Sequence, residues 1–362
     1  MFAEVRDQIK AIVFEDNHIQ ILQTSRTQQA VLYKALTKKG RIGDTVILNT
    51  TASELNLGTG GYDFVKSVGE NAHVTPCLNR DDGHILKLRY TPMQHQVLSV
   101  ESQESPYHSL FQTAFSLEKK PVLVGELHSM IPILYAGSKV LDKGATVCII
   151  IDDQAALPLM LSEHIRALEG EETFVTITVG QAFGGTYEAI TIQTALQFAH
   201  EHLKADIIMI TVGPGVVGTG SYYGFTGMSL ANWSNNVAAL GGIPVWIPRL
   251  SFADKRKRHR GISHHTLTPL IEAVLTKVIL PLPLLKGDRL EMIDNQLSLL
   301  QKAKVSPEIK WIEEQEVQQK TEQALRTLGK DIKTMGRGYQ EDPAFFWAVV
   351  AALWTSLNLG RE

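Results

Sequence analysis

Two stretches of this 362-residue chain carry residue types able to hold a charged ligand. The first, DKRKRHRGISHHT from Asp254 to Thr266, sets Lys255, Arg256, Lys257, Arg258 and Arg260 beside His259, His264 and His265. Arginine grips a phosphate or carboxylate through paired N–H groups, and histidine serves as a general base or a metal ligand near neutral pH. The spacing is not the helical HExxH zinc pattern, and neighbouring histidines on a loop often diverge. The bland account is a solvated basic loop followed by a helix capped at Thr268 with Pro269 in first place. Three histidines and Asp254 just past a strand end are more than that account needs, so a functional loop is favoured. A metal bound by His264 or His265 with Asp152 or Asp153 is the minor alternative, and the identity of any metal or cofactor is left unknown.

The second stretch, ADIIMITVGPGVVGTGSYYGFTG from Ala205 to Gly227, reads as a buried strand that breaks into a glycine loop. Ile207 to Val212 is almost continuously apolar, as a parallel strand covered on both faces requires. Gly213, Gly215, Gly218 and Gly220 let another group approach the main chain, and Thr219 and Ser221 add hydroxyls that could meet an anion. Gly213, Gly215 and Gly218 match G-x-G-x-x-G, yet Pro214 removes an amide and no helix pattern starts at the third glycine. No acid occurs between Asp206 and Asp254 to bind a ribose. A standard dinucleotide site is therefore rejected, and so is a P-loop, since no Gly-Lys-Ser/Thr follows.

Other strand-like runs end in comparable residues. Pro121 to Val124 leads to Glu126 and His128; Ala145 to Ile151 leads to Asp152 and Asp153; Thr173 to Val179 leads to Gln181, Gly184, Gly185 and Glu188; Ile243 to Ile247 leads to Arg249. Helical patterns follow each run, as in Thr186 to Leu203, where Ile192, Ala195, Leu196, Ala199 and Leu203 share a face. Alternating strand and helix predicts a mostly parallel, Rossmann-like α/β sheet with flanking helices, whose carboxyl ends lie on one edge. Ligands of such sheets bind at that edge, which makes the scattered polar tips candidates for one cleft.

The first hundred residues differ in texture. Short runs at Ile9 to Glu15, Ile19 to Thr24, Gln29 to Leu36, Asp44 to Thr50, Tyr62 to Val68 and Ile85 to Tyr90 predict a small N-terminal β-barrel, residues 1–104, ahead of the α/β domain at 105–362. Barrels of this kind often bind oligonucleotides, sugars or protein segments, which is analogy alone. The segment Asn49 to Phe64, rich in glycine and threonine, reads as a turn or as a hairpin reaching a cleft. Near the other end, Asp342 and Pro343 signal a helix start, with a side-chain cap and a first-position proline. Ala344 to Leu357 is apolar on most sides but too short to span a bilayer. A core or inter-domain element is expected there, with a homo-oligomer contact as the sharper alternative.

Composition sets outer bounds. At 44% apolar residues the chain can bury sizeable cores, and a net charge of −3 gives no global pull toward nucleic acid or anionic membrane. Of two cysteines, Cys77 and Cys148, the second lies in an apolar run and the pair lacks metal-ligand spacing. With no apolar signal segment in the opening residues, a cytoplasmic, reduced protein is expected.

The segments NTTASELNLGTGGYDFV from Asn49, GQAFGGTYEA from Gly180, GPGVVGTGSYYGFTG from Gly213, RHRGISHHT from Arg258 and MGRGYQEDPAFF from Met335 together resemble a bacterial family known as domain of unknown function 3866. The resemblance covers nearly the whole chain. It implies no reaction, cofactor or catalytic residue. From the residues themselves, the expectation is a small anionic metabolite, phosphorylated or nucleotide-like, bound by Gly184, Gly185 and the Gly213 to Gly220 loop. Arg249 or Arg258 would add charge, and a proton carrier would come from Glu126, His128, His264, His265 or Asp254. His259 and Ser221 complete the candidate set. The alternative is a non-catalytic module contacting nucleic acid or a protein through the barrel and the basic loop.

Overall fold

The computed structural model describes residues 4–50, 53, 61–69, 83–88, 95–152, 158–328 and 331–360. The chain divides into two units, Met1–Leu98 and Ser99–Glu362.

In the first unit β1 (Glu4–Glu15), β2 (Ile19–Thr24), β3 (Ala30–Tyr33), β4 (Thr45–Asn49) and β5 (Asp63–Val68) close a barrel in the order β1-β2-β3-β5-β4. Only the β3–β5 pair is parallel. Alternate residues turn inward, so Ile9, Leu22, Leu32, Val46, Leu48 and Val65 fill the barrel. Gln20 is buried among them, and its amide is satisfied at both ends by the Gly40 backbone, at 2.8 Å and 3.2 Å. Gly40 permits this because a β-carbon there would fall 2.6 Å from Ile9 Cδ1. The sixth expected strand is shorter and stands apart: β6 (Ile85–Lys87) pairs with β7 (His95–Val97) in a separate hairpin. Cys77 and most of the segment from Asn49 to Phe64 lie outside the described residues.

The second unit is a Rossmann-like α/β domain. Its elements in chain order are β8 (Pro121–Gly125), α1 (Met130–Leu141), β9 (Val147–Asp152), α2 (Glu163–Arg166), β10 (Phe174–Val179), β11 (Tyr187–Ala189), α3 (Ile192–Gln197) and β12 (Ile207–Thr211). There follow α4 (Ser229–Ala239), β13 (Ile243–Ile247), β14 (Leu250–Ser251), β15 (Gly261–Ile262), α5 (His264–Glu272), β16 (Ile279–Leu284), α6 (Asp288–Leu297), β17 (Glu308–Glu313), α7 (Glu314–Thr327) and α8 (Pro343–Leu359). Eight strands form one parallel sheet in the order β11-β10-β9-β12-β8-β13-β16-β17. The central strands are apolar on both faces because both are covered. Ile208, Ile210, Val122 and Val124 face one core, with α4 and α5; Met209, Leu123, Ile149 and Val245 face the other, with α1. Counting β8, β9, β10, β12, β13 and β16 as first to sixth, the sheet runs 3-2-4-1-5-6. The common dinucleotide-binding order is 3-2-1-4-5-6, so the first and fourth strands have exchanged places.

Two local expectations are corrected. The helix read from Thr186 to Leu203 begins late, because Tyr187 to Ala189 first adds a parallel edge strand beside β10. Thr191 then caps α3 in a reciprocal capping box with Thr194, and the last turn widens into a π-turn at Phe198–His202. The second correction concerns Asp342, whose side chain does not cap α8; instead it accepts Ser251 Oγ at 2.6 Å and Arg337 Nε at 3.0 Å.

Helix α8 is buried along Ala344 to Leu353 by its own chain, against β8, β13, β16, α1 and α7. Gly137 of α1 marks the closest approach, since a β-carbon there would lie 2.9 Å from Leu353 Cδ2. Among the described residues no helix is long and apolar enough to cross a membrane. Phe346, fully buried on α8, anchors this packing. Phe346→Ala is expected to destabilise the α/β unit by about 3–5 kcal/mol, read from the shift in its denaturant midpoint.

Candidate functional site

The connection leaving β8 leads to β9 on one side, whereas that leaving β13 leads to β16 on the other. Crossovers therefore leave the neighbouring parallel strands β8 and β13 in opposite senses, a position at which open α/β sheets leave a crevice at their carboxyl edge. Glu126, just beyond β8, and Arg249, just beyond β13, meet there. Glu126 is only 2% exposed and Arg249 5%. Arg249 Nη1 donates to Glu126 Oε2 at 3.2 Å, and His265 Nδ1 donates to Glu126 Oε1. Burial opposes the Glu126 charge, but the His265 hydrogen bond and the positive charge of Arg249 outweigh it and hold the carboxyl below its ordinary range. Because a carboxylate only accepts, Nδ1 of His265 carries the proton, and in the neutral ring Nε2 keeps its lone pair.

The histidines are brought together by the start of α5, which differs from the expected one. Ser263, not Thr268, is the N-cap: its hydroxyl accepts the His265 amide at 3.1 Å, and Pro269 falls inside the helix. The reason is the β14–β15 ladder, which pairs Leu250 with Ile262 and Ser251 with Gly261. It continues as Ser263 N to Arg249 O at 2.9 Å, while Thr266 Oγ1 accepts the Arg249 amide at 3.0 Å. These bonds deliver the chain to its helical start at Ser263, five residues earlier than the proline suggested. Ser263 Oγ also bonds His259 Nδ1 at 2.7 Å, so one capping side chain positions two histidines.

The rings of His259, His264 and His265 pack with centroids 4.4–5.0 Å apart. One ring nitrogen from each lies within 4.8 Å of the others. Phe225 stacks on His265 at 4.1 Å and 9°, which fixes the ring plane. Nε2 of His264 is buried without a hydrogen-bond partner. Burial, reinforced by neighbouring positive groups, lowers the pKa of His259 to about 3 and that of His264 to about 4. Both rings are neutral at pH 7.

The glycine loop closes over this cluster. A β-carbon on Gly218 would sit 3.4 Å from His265 Nε2, and one on Gly227 would sit 3.0 Å from Glu126 Oε1. Gly215 and Gly220 hold φ of +107° and +78°, conformations that favour glycine. Internal hydrogen bonds engage the amides of Val217, Thr219, Ser221 and Gly224, together with the Thr219 and Ser221 hydroxyls. They do not use the amides of Gly215, Gly218 and Gly220. The Arg258 guanidinium lies alongside, 3.9 Å from the β-carbon position of Gly220. Among the described residues no carboxylate pairs with Arg258, whereas Arg256 is held by Asp254.

Several candidates lie elsewhere or are already occupied. Asp254 accepts three bonds from Arg256, from its amide at 2.9 Å and its guanidinium at 3.0 Å and 2.8 Å, and one from Arg337 at 3.4 Å; the Arg256 side-chain hydrogen bond is chief among the effects that lower its pKa. The Gly184 amide donates to Glu188 Oε1 at 2.7 Å and the Gly185 amide to Thr178 Oγ1 at 3.0 Å, so both serve the local turn. Asp152 accepts Trp233 Nε1 at 2.7 Å and is not part of the histidine cluster; Asp153 lies outside the described residues. His128 sits beside His164, ring centroids 5.4 Å apart, near a cavity of about 510 Å³ lined by Tyr135, Lys139, Glu163, His164 and Asp331. Sequence reasoning missed Ser263 and Phe225. Ser263 had a readable signal, a serine directly before a helical pattern, whereas Phe225 had none.

The sequence model of a family described as "Protein of unknown function (DUF3866)" matches residues 29–353. No curated protein and no solved structure matches.

Removing Glu126 leaves a buried guanidinium uncompensated. Glu126→Ala is expected to cost about 3–5 kcal/mol, and the Glu126→Ala/Arg249→Met double variant less than the sum of the singles, as read by denaturant unfolding. Burial chiefly, with His164 adding, lowers His128 to about 4 in the folded state against an ordinary 6.5. The unfolded chain then binds more protons between those values, so the contribution present above pH 6.5 is lost as pH falls toward 4. His128→Asn should flatten the fall in melting temperature over that window, with the remaining histidine slope due to His200, His259 and His264, which burial also depresses.

Proposed function

This chain belongs to the family described as a protein of unknown function (DUF3866), and we propose that its α/β unit binds a small anionic metabolite, phosphorylated or nucleotide-like, at the carboxyl edge of the sheet and acts on it as an enzyme. The observation that carries this reading is Arg258, an exposed guanidinium with no carboxylate partner among the described residues, set against Gly220 in the loop whose Gly218 and Gly227 adjoin His265 and Glu126. The amides of Gly218 and Gly220 and the first turn of α5 supply further partial positive charge on the same side. Arg249 is committed to Glu126, so it holds the catalytic histidine in place instead of touching the ligand. His265, its Nδ1 fixed by a carboxylate, presents Nε2 for proton transfer, the arrangement by which a carboxylate orients a general base. A cytoplasmic setting fits this reading, as does Cys148, a buried free thiol whose pKa burial raises.

A panel of inorganic phosphate, sugar phosphates and nucleotides, followed by thermal shift and calorimetry, tests the proposal. At least one is expected to raise the melting temperature of the native chain, with affinity falling about tenfold or more in Arg258→Ala. Equal affinity in that variant would sink it. The basic loop also exposes Lys255, Lys257 and Arg260. If single-stranded RNA binds instead, four phosphate contacts would give a log–log salt slope of about −3, and the nucleic-acid reading would replace this one.

A further inference from the structure

We propose that His259, His264 and His265 form a three-histidine site for one divalent transition-metal ion of the zinc class, with Glu126 as the carboxylate that orients His265 behind it. Around an ion held tetrahedrally by imidazole nitrogens at about 2.1 Å, ring centroids stand about 5 Å apart. The three rings already sit at 4.4, 4.9 and 5.0 Å. One nitrogen of each ring lies within 4.8 Å of the others, against about 3.4 Å around such an ion, so closing on it requires the rings to turn their nitrogens inward by no more than about 1.5 Å.

Each ring has a nitrogen left to offer an ion. His265 gives Nδ1 to Glu126 and His259 bonds Ser263 through Nδ1, which leaves both Nε2 atoms. A second ring nitrogen hydrogen-bonded to a carboxylate or a neighbouring polar group is the usual support of a metal-bound histidine. Nε2 of His264 is buried with no partner, a condition that is unfavourable unless a group absent from the protein satisfies it. Gly218 keeps the space beside His265 Nε2 open, since any β-carbon there would lie 3.4 Å away. Imidazole donors with no carboxylate in the set suit zinc, copper, nickel or iron and not magnesium or calcium. Arg249, Arg256, Arg258 and the start of α5 all oppose a cation, but Arg249 is neutralised by Glu126 at 3.2 Å and Arg256 by Asp254 at 2.8 Å, which leaves Arg258 for the anion.

Three protein ligands leave one position for water or for an oxygen of the anionic ligand; with an ion bound, His265 Nε2 would be a ligand and its proton-transfer role would pass to the water in that fourth position. The site stands on its own geometry, and its test uses no anion, so its failure is distinguishable from failure of the anion-binding reading. The full chain is stripped with chelator and titrated with cobalt(II) alone, then with zinc(II) in competition. The expected result is visible tetrahedral cobalt bands, one ion per chain, displacement by zinc, and a loss of at least a hundredfold in affinity in His264→Asn and His259→Asn. Glu126→Gln should weaken binding by 10- to 100-fold. Undiminished binding in folded variants, or no binding by the native chain, overturns the proposal. If a variant fails to fold, X-ray absorption of the zinc-loaded native chain decides: three imidazole ligands support the site, and one or none overturns it.

Discussion

The carboxyl edge of the sheet is organised by one buried charge, the Glu126 carboxylate. Its two oxygens are divided between Arg249 and His265, and all three side chains are nearly excluded from water. Either member of the ion pair alone would be a buried uncompensated charge, costing several kcal/mol. The pair therefore binds the end of β8 to the end of β13 and draws the first turn of α5 down onto both. What hydrophobic burial cannot specify, namely which way one histidine ring points, is set by this arrangement. Packing supplies the rest: the cores on both sides of the sheet hold β8 and β13 in place, and Phe225 clamps the face of His265.

Much of the architecture was legible because its signals are local and repeated. Continuous apolar runs such as Ile207 to Thr211 and Val147 to Ile151 admit few readings other than buried parallel strands, and the short alternating runs before residue 70 closed into a barrel as their spacing suggested. The exchange of first and fourth strands carried no such signal. It depends on which crossovers pass over which neighbours, a long-range choice that no window of sequence expresses. The false start at Thr268 has a plainer cause: proline in first position is a strong local preference, and two short strands with their hydrogen bonds to Arg249 overrode it.

The site was legible in its residue types but not in its pairings. Glu126, Arg249 and His265 stood out as polar residues beyond strands or in a basic loop, yet that two of them would be committed to each other requires the contact between β8 and β13. The same contact changes the meaning of Arg249, from an anion clamp to the partner of a carboxylate. Gly184 and Gly185 illustrate the converse, because a glycine pair in a loop looks like an anion cradle until Thr178 and Glu188 are seen to occupy its amides.

Charge around the edge is unbalanced in a way that bears on both functional readings. Arg249 is cancelled by Glu126, but Arg258, the amides of the glycine loop and the amino end of α5 have no opposing carboxylate within the cluster. Such a region favours an anion. Of the three histidines at its centre, His259 and His264 add no charge, since burial keeps both neutral at physiological pH. Neutral imidazoles are poor anion hosts and good metal ligands, so they need a different explanation from the arginine and the amides. An ion held by the rings would adjoin Gly218 and an anion held by Arg258 would adjoin Gly220, two residues further along the same loop. Each would then offset the charge that disfavours the other, which couples the two sites electrostatically although their protein ligands are separate.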